Sequence, residues 1–450
     1  METTACSDKV EVADAAPAVL EEAYRYAYPL VLLDVIKDMT TNVVEPGSDH
    51  APINQLFHAR GLATPEMASL TRPNVDTVYS QAYLELASEP VLFHKPATDR
   101  YCSVQTFDGY SNTPVILGTG GVGENDEVTY AFTGPFWHGE LPVGVVEVSM
   151  PTNLVWLLLR TKCFGLDDLE NVYAVQHGMR LYPLSAYGDA SYRPPAGSHD
   201  PAFDYVPLDY MAHLSAQDFF ARFNHLAVGN PGFPEDAPAL ERFASLGIGA
   251  GLEFDLDALD EVAAQVAARL SVLMDRDFAS DHANITPSNG WMFMDNRVGN
   301  FGTDYAFRAV VAFGGFANPV SMAVYPSMVT DRAEALLQGD RAYVLHFEPG
   351  MTPPHADGGW WSLTAYTEAG RLIPNEIARY SIGEIDDLLF DDDGSLDLYI
   401  QVGNPGGDRV RNWLPLCEGV FSLTMRIYLP DESVLSFDWR LPWLEEAPSV

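Results

Sequence analysis

Short stretches in which apolar and polar residues alternate recur in two separate parts of this sequence. They lie between residues 70 and 160 and again from residue 284 onward, and they include VYSQAYLEL, EVTYAF, SLDLYIQV and SVLSFDW. Such alternation is typical of strands with one buried face, and the Gly, Pro and Asp residues between the stretches indicate turns. The sequence therefore predicts a mainly β fold that contains two β-sandwich domains.

Helical patterns precede and separate these two parts. Residues 16–43 are rich in Ala, Leu and Glu and carry apolar residues at helical spacing, which predicts a helix that Pro29 bends. A Pro-rich stretch near residue 194 then leads into helical patterns near 209–227 and 255–276. A further helix is predicted near 304–316.

A chain of 450 residues is too long for one ordinary hydrophobic core. We predict three parts in the order helix plus β-sandwich domain, helical connector and C-terminal β-sandwich domain, with the bounds 1–190, 191–281 and 282–450.

The charge of the chain restricts its partners. Lys and Arg number 25 against 63 Asp and Glu, which gives a net charge of −38. This charge repels nucleic-acid phosphates and anionic lipids, so we predict a small-molecule substrate or ligand, no nucleic acid and no membrane. A homo-oligomer is left open. The four cysteines are far apart, and no signal-peptide pattern or membrane-length apolar run is found, so we expect a cytoplasmic protein.

The segment RPNVDTVYS (72–80) holds the first candidate site. In an extended strand Arg72, Asn74 and Asp76 share one face, and Tyr79 joins them only if the strand bends. Asp76 would then serve as an acid/base group, with Arg72 as its partner or as an anion clamp. The alternative is a structural network that fixes the strand register.

Two strands with a shared Ser-Leu-Thr pattern hold the second candidate. One face of each is apolar, and the other is rich in hydroxyl groups and carries a single arginine. The polar face comprises Ser362, Thr364, Tyr366, Ser422, Thr424, Arg426 and Tyr428. It could line a cleft or a domain interface, or it could be a face that an antiparallel sheet leaves to water.

Patterns for cofactors and metals give little support to either. The GxGxxG match at Gly118–Gly123 precedes ENDEVTYAF, which reads as a turn and a strand rather than the helix of a dinucleotide site. No P-loop or GxSxG pattern is found. His346, Glu348 and His355 lack an established metal-ligand spacing, so we predict no cofactor and leave a metal near them open.

An ordered series of motifs resembles a bacterial family that pairs two domains of unknown function, numbered 1254 and 1214. RPNVDTVYS, GPFWHGELPVG and SMPTNLVWLLLR resemble the first domain, and NGWMF, FGTDYAFRAV, PPHADGGWWSLTAYTEAGRLIPN, NWLP and FSLTMRIYLP resemble the second. The resemblance covers nearly the whole chain beyond residue 16. It implies one immunoglobulin-like and one jelly-roll-like sandwich joined by helices, and it implies no established reaction.

The resemblance also implies a shortlist of site residues. Its recurrent polar motifs correspond to Arg72, Asn74, Asp76, Tyr79, Asn289, Trp291, Trp361, Tyr366, Asn375, Asn412, Trp413 and Arg426. For the tryptophans, an anchoring role in the core is the alternative.

We therefore expect a small-molecule enzyme without organic cofactor, a lyase, isomerase, cyclase or hydrolase, working by acid/base chemistry in an inter-domain cleft. The catalytic residues would be Asp76, Tyr79 and Arg72, and the substrate-binding residues would be Asn74, Tyr366, Arg426, Asn412, Trp413 and Asn289. One alternative is a non-catalytic carbohydrate or small-ligand binding protein, which exposed aromatic residues near Arg426 would favour. The other is a structural or assembly protein, which a large apolar surface patch would favour.

Overall fold

The computed structural model describes residues 4–67, 71–280 and 284–447. The helices are α1 (Thr4–Thr40), α2 (Leu169–Gly178), α3 (Pro207–His213), α4 (Ala216–Leu226), α5 (Ala237–Ala244), α6 (Glu261–Ala267), α7 (Leu273–Ser280), α8 (Tyr305–Phe313) and α9 (Glu432–Leu435). The strands of the first half are β1 (Phe57–His58), β2 (Thr77–Glu85), β3 (Val91–Lys95), β4 (Cys102–Phe107), β5 (Ile116–Gly118), β6 (Val122–Gly123), β7 (Val128–Thr133), β8 (Val146–Ser149), β9 (Leu154–Lys162) and β10 (Arg180–Pro183). Those of the second half are β11 (Ile285–Ser288), β12 (Trp291–Met294), β13 (Ala323–Val324), β14 (Ser327–Met328), β15 (Tyr343–Phe347), β16 (His355–Thr367), β17 (Ser381–Gly383), β18 (Leu396–Gln401), β19 (Trp413–Pro415), β20 (Phe421–Pro430) and β21 (Leu444–Glu446).

Two sheets form in the first half of the chain. Their strand orders are β1-β2-β9-β4-β5-β6 and β10-β3-β7-β8. Val104 and Leu157 of the first sheet share a buried apolar cluster with Phe93 and Phe132 of the second. The two sheets therefore pack against each other through the apolar faces that the alternating pattern predicts.

Two further sheets form in the second half. Their orders are β11-β12-β14-β20-β16-β17, with β13 also paired to β20, and β19-β18-β15-β21. Leu363 and Met425 of the first sheet share a buried cluster with Leu345 and Leu398 of the second. The long antiparallel pair β16–β20 lies inside its sheet, and its other face is the one that bears the polar side chains.

A layer of helices forms a separate apolar core. Helix α1 contacts α3, α4, α5, α6 and α8, so it joins segments that lie far apart in the sequence. It runs through Pro29 without interruption. The helical pattern near 209–227 forms two helices, because Ser215 ends the first and caps the second by accepting a hydrogen bond from the Asp218 backbone N–H.

The coarse prediction of a β-rich chain with several helices is confirmed. The glycine-rich segment 118–123 precedes strand β7 and not a helix, as predicted. One predicted strand is wrong: within SVLSFDW, residues Glu432–Leu435 form α9, since Asp431 accepts a hydrogen bond from the Ser433 N–H and caps a helical turn. No helix of residues 4–67, 71–280 or 284–447 is long and apolar enough to cross a membrane.

Candidate functional site

The hydroxyl-rich face of β16 and β20 is covered by the first half of the chain. Ser362, Tyr366 and Arg426 are each at most 3% exposed. The Tyr366 hydroxyl donates a hydrogen bond of 2.8 Å to the Pro73 carbonyl, and the rings of Tyr101 and Trp360 meet with centroids 5.0 Å apart. Of the two interpretations of this face, the structure shows the domain interface and not a face left to water.

The segment Arg72–Asp76 is a bend and not part of a strand, so the prediction that alternation aligns its side chains is wrong. Strand β2 begins only at Thr77, and Arg72 has a left-handed backbone with φ of 49°. Pro73 has no N–H to give to a sheet. The Asn74 side chain then accepts the N–H groups of Asp76, at 2.6 Å, and Thr77, at 3.3 Å, in place of a neighbouring strand.

Asp76 lies at the centre of the interface and is 2% exposed. Its Oδ2 accepts hydrogen bonds from the Ser362 hydroxyl at 2.7 Å and from the Tyr428 hydroxyl at 3.2 Å. In the part of the chain that the structure describes, Oδ1 makes no hydrogen bond and no cation lies within 4 Å of the carboxylate. This buried carboxylate is thus held by neutral hydroxyl groups alone.

Tyr428 connects Asp76 to its surroundings. Its hydroxyl accepts a hydrogen bond of 2.6 Å from the Asn74 amide and donates one to Asp76, while its ring stacks on Trp360 at 3.8 Å. Burial, and after it the charge of Asp76, raises the pKa of Tyr428 well above its usual value. The hydroxyl therefore stays protonated and stays a donor to the carboxylate.

Arg426 holds the bend in place. Its Nη1 donates to Thr364 at 2.8 Å, and its Nη2 donates to the Tyr366 hydroxyl at 2.5 Å and to the carbonyl groups of Arg72 and Pro73 at 3.2 and 3.3 Å. Tyr366 itself donates to the Pro73 carbonyl. Both predicted binding residues, Arg426 and Tyr366, are therefore engaged with the protein backbone.

Arg72 is partly exposed and bonded to hydroxyl groups. Its Nη1 donates to Thr424 at 3.1 Å and to Ser327 at 3.4 Å. Burial, together with the neighbouring charge of Arg426, lowers its pKa below the usual value. It has no carboxylate within 4 Å among residues 71–280 and 284–447 or the segment before them, so its charge is free to meet an anion.

Arg160 is a site residue that the sequence reasoning missed. It lies on β9 between Tyr79 of β2 and Ser103 of β4 and is 6% exposed. Its Nη1 donates to the Gln105 side chain at 2.9 Å, and its guanidinium lies 5.7 Å from the Tyr79 ring. The structure thus brings Tyr79 to Arg160. The available signal was a lone arginine inside the apolar run NLVWLLLR.

Two more titratable groups lie within electrostatic range of Asp76. The Lys162 amine sits 4.1 Å from the Trp360 ring centroid, and burial lowers its pKa. Burial, in contrast, raises the pKa of Asp386, and Asp76 adds to that rise. The interface therefore combines one buried carboxylate with cations that are not paired to it, in a protein with a net charge of −38.

The other predicted binding residues are not brought to this interface. Asn289, Asn412 and Trp413 donate side-chain hydrogen bonds of 2.8, 2.7 and 2.8 Å to the backbone carbonyl groups of Leu441, Leu389 and Gln401, respectively. They join loops and strands of the second half. Trp291 and Trp361 are part of its apolar core, as the alternative interpretation expected.

The histidines considered for a metal lie apart. His346 on β15 contacts Asp397 at 2.7 Å, and His355 on β16 contacts Glu384 at 2.7 Å. These strands belong to different sheets. No group of three metal-ligating side chains comes together within the described residues.

Comparisons with known proteins assign the two halves of the interface to two families. Residues 53–183 match the family described as "Protein of unknown function (DUF1254)", and residues 322–432 match "Protein of unknown function (DUF1214)". Asp76 lies in the first match, and Ser362 and Tyr428 lie in the second. No curated protein matches the chain.

Two solved structures are similar to this chain. The crystal structure of the VPA0106 protein from Vibrio parahaemolyticus is 21% identical and covers 96% of this chain and 100% of its own, with a TM-score of 0.73. That of an uncharacterized protein from Burkholderia cenocepacia is 13% identical, covers 97% and 95%, and has a TM-score of 0.43. The first likeness shows a shared fold.

Proposed function

This chain belongs to the family that pairs a DUF1254 domain with a DUF1214 domain, and from that premise we propose that it is a small-molecule enzyme. It works by acid/base chemistry, without an organic cofactor, where the two domains meet. The observation that supports this most is the buried Asp76, whose Oδ2 is held by two hydroxyl groups and whose Oδ1 has no hydrogen bond among the residues that the structure describes. Structural carboxylates at such depth are ordinarily paired.

Each part of the interface takes a role in this proposal. Asp76 accepts a proton from the substrate at Oδ1, and Tyr428 donates to Oδ2 throughout and so orients the carboxylate. Arg72 binds an anionic group of the substrate, because it is partly exposed and has no carboxylate partner in the described ranges. Arg426 and Tyr366 act as positioning residues, since both bind the backbone of the bend that carries Asp76.

The aromatic residues support the enzyme over a carbohydrate-binding protein. A sugar-binding surface needs exposed rings near Arg426, whereas Trp360, Tyr366 and Tyr428 are at most 1% exposed. These rings pack the interface, and the stacked pair of Trp360 and Tyr428 holds the hydroxyl group that bonds to Asp76.

The finer features of the fold belong to the same proposal. We propose an immunoglobulin-like sandwich for the sheets of the first half and a jelly-roll-like sandwich for those of the second. The boundaries at 190/191 and 281/282 stay predictions, and the second lies outside the described residues. A cytoplasmic location also stays a prediction, and the unpaired Cys102, Cys163 and Cys417 agree with a reducing compartment.

The test is metabolite profiling of the source strain with the gene deleted and then complemented. Asp76→Asn keeps the shape of the side chain and an oxygen acceptor but removes the titratable group. Asp236→Asn is the matched control, because Asp236 is also buried and accepts hydrogen bonds from two tyrosines, Tyr26 at 3.2 Å and Tyr305 at 2.9 Å. It lies in the helical core, away from the interface.

We expect wild type and Asp236→Asn to clear a compound that accumulates in the deletion strain, and Asp76→Asn to leave it in place. Both variants are first shown to be folded by their melting temperatures. Full complementation by folded Asp76→Asn would refute a catalytic role for this carboxylate.

A further inference from the structure

One edge of the Arg160 guanidinium is unpaired although the side chain is 6% exposed. Only Nη1 is bonded, to Gln105. Nε is enclosed and has no hydrogen-bond partner, and Nη2 makes no hydrogen bond to the described residues either. The N–H groups of Nε and Nη2 point in parallel from one edge, at the spacing of the two oxygens of a carboxylate. A buried donor without a partner is costly, so this edge needs an explanation.

The groups around Arg160 are tyrosines and not carboxylates. Tyr79, Tyr325, Tyr101 and Tyr428 are near enough to interact with it electrostatically, and they raise its pKa although burial alone would lower it. The Tyr101 hydroxyl is itself buried without a hydrogen-bond partner. Arg160 is therefore a buried cation, and no Asp or Glu lies within 4 Å of it in the described chain.

An apolar cavity lies beside this cation. It has a volume of ≈ 300 Å³, and its lining includes Phe293, Val298 and Val324 together with Tyr325. This volume is at the lower end of the range for small-molecule sites. The cavity thus has room for a small hydrocarbon body, and most of its wall is suited to one.

Two residues connect the cavity with Arg160. Gln105 accepts from Arg160 and donates to the carbonyl of Ala317, a residue of the cavity wall, at 2.8 Å. Tyr325 lines the cavity, accepts a hydrogen bond of 2.6 Å from Asn318 and interacts with Arg160. The polar end of the cavity therefore faces the unpaired edge of the guanidinium.

We propose that this cavity binds a small monocarboxylic acid with an apolar body. The carboxylate accepts the N–H groups of Nε and Nη2 of Arg160, and the hydrocarbon occupies the cavity. A single arginine edge offers two parallel donors, which satisfy a carboxylate but leave the third oxygen and second charge of a phosphate without partners. The inference rests on the proposed function only where it calls this acid a substrate, since Tyr428 both bonds to Asp76 and interacts with Arg160.

The test is calorimetric titration of the full chain with hexanoate, hexanamide and inorganic phosphate. We expect hexanoate to bind, hexanamide to bind at least tenfold more weakly, and phosphate not to compete. Arg160→Gln, shown to be folded by its melting temperature, is expected to weaken hexanoate binding about ten- to hundredfold. Equal hexanoate affinity in folded Arg160→Gln, or binding of phosphate but not of hexanoate, overturns the proposal.

A second variant tests the cavity without changing the buried charge. Ala317→Leu fills part of the wall at a residue that is partly exposed and so tolerates a larger side chain. We expect it to shift the preference at least tenfold from hexanoate toward butyrate. An unchanged preference would show that the hydrocarbon lies elsewhere and would refute the site.

The outcome for Asp76→Asn separates this inference from the proposed function. Asp76→Asn is expected to bind hexanoate as wild type does while failing to complement the deletion strain. If it binds hexanoate and also complements, the proposed chemistry fails and the binding site stands. If hexanoate does not bind to wild type while Asp76 is required in the strain, the binding site fails and the chemistry stands.

Discussion

Replacing Tyr428 by Phe removes a single oxygen atom that takes part in two hydrogen bonds across the domain interface. The hydroxyl donates to Asp76 at 3.2 Å and accepts from the Asn74 amide at 2.6 Å. The phenylalanine ring retains the stacking on Trp360. The substitution therefore tests the polar contact separately from the packing.

The expected loss follows from the character of each bond. A hydrogen bond to a charged group contributes about 1.5–3 kcal/mol. Asn74 is partly exposed, so water replaces the second bond at little cost. We expect Tyr428→Phe to lower the free energy of unfolding by about 2–3 kcal/mol, a factor of roughly 30 to 150 in the ratio of folded to unfolded protein.

Urea unfolding followed by tryptophan fluorescence measures this loss, because Trp360 stacks on the altered ring. Tyr130→Phe is the matched control: the Tyr130 hydroxyl is bonded at 2.7 Å to the uncharged carbonyl of Val122, within the first domain. It is expected to cost about 1 kcal/mol. A loss in Tyr428→Phe no larger than in Tyr130→Phe would show that Asp76 does not depend on this hydroxyl.

Two further predictions concern residues outside the interface. Burial raises the pKa of Asp108 from 3.8 to about 6, so its contribution to stability is present below pH 4 and is lost as the pH rises through 6. Between pH 4 and 7 wild type should lose about 3 kcal/mol more than Asp108→Asn in parallel urea titrations, and identical pH profiles would contradict the assignment. Gly118 has φ of 74°, and a Cβ there would lie 2.2 Å from the Cys102 carbonyl oxygen. Gly118→Ala should therefore cost well over the roughly 1–2 kcal/mol of left-handed strain expected for Gly144→Ala, where φ is 86° and the space is open, and equal melting temperatures would refute this.

The local elements of this fold could be predicted from sequence because their cause is local. Apolar residues at helical spacing between Asp304 and Gly314 give α8, and the alternation in FSLTMRIYLP gives β20. The same alternation shows that the two faces of β20 differ, but it does not show what covers the polar one. That face is buried by a bend some 350 residues away in the sequence, through contacts such as Arg426 to Pro73.

The candidate site was only partly predictable for the same reason. Asp76 and Arg72 stand out as charges beside apolar strands, although Pro73 and Asn74 prevent the extended conformation that was expected of them. Arg160 owes its interest to an unpaired guanidinium edge, which depends on residues from several segments. Asn412, in contrast, binds only backbone groups nearby in its own domain, so its motif reflects the folding of a loop.

The helical core imposes an order on the synthesis of this protein. Helix α1 is made early, but α8, which packs extensively along it, begins only at Tyr305, after residues 41–304 have been added. At roughly 5–20 residues per second the ribosome needs about 13–50 s for that stretch. During this time the side of α1 that α8 will cover is open to solvent on a nascent chain. Successful production in a cell thus depends on protecting one apolar helix until the second domain begins to emerge.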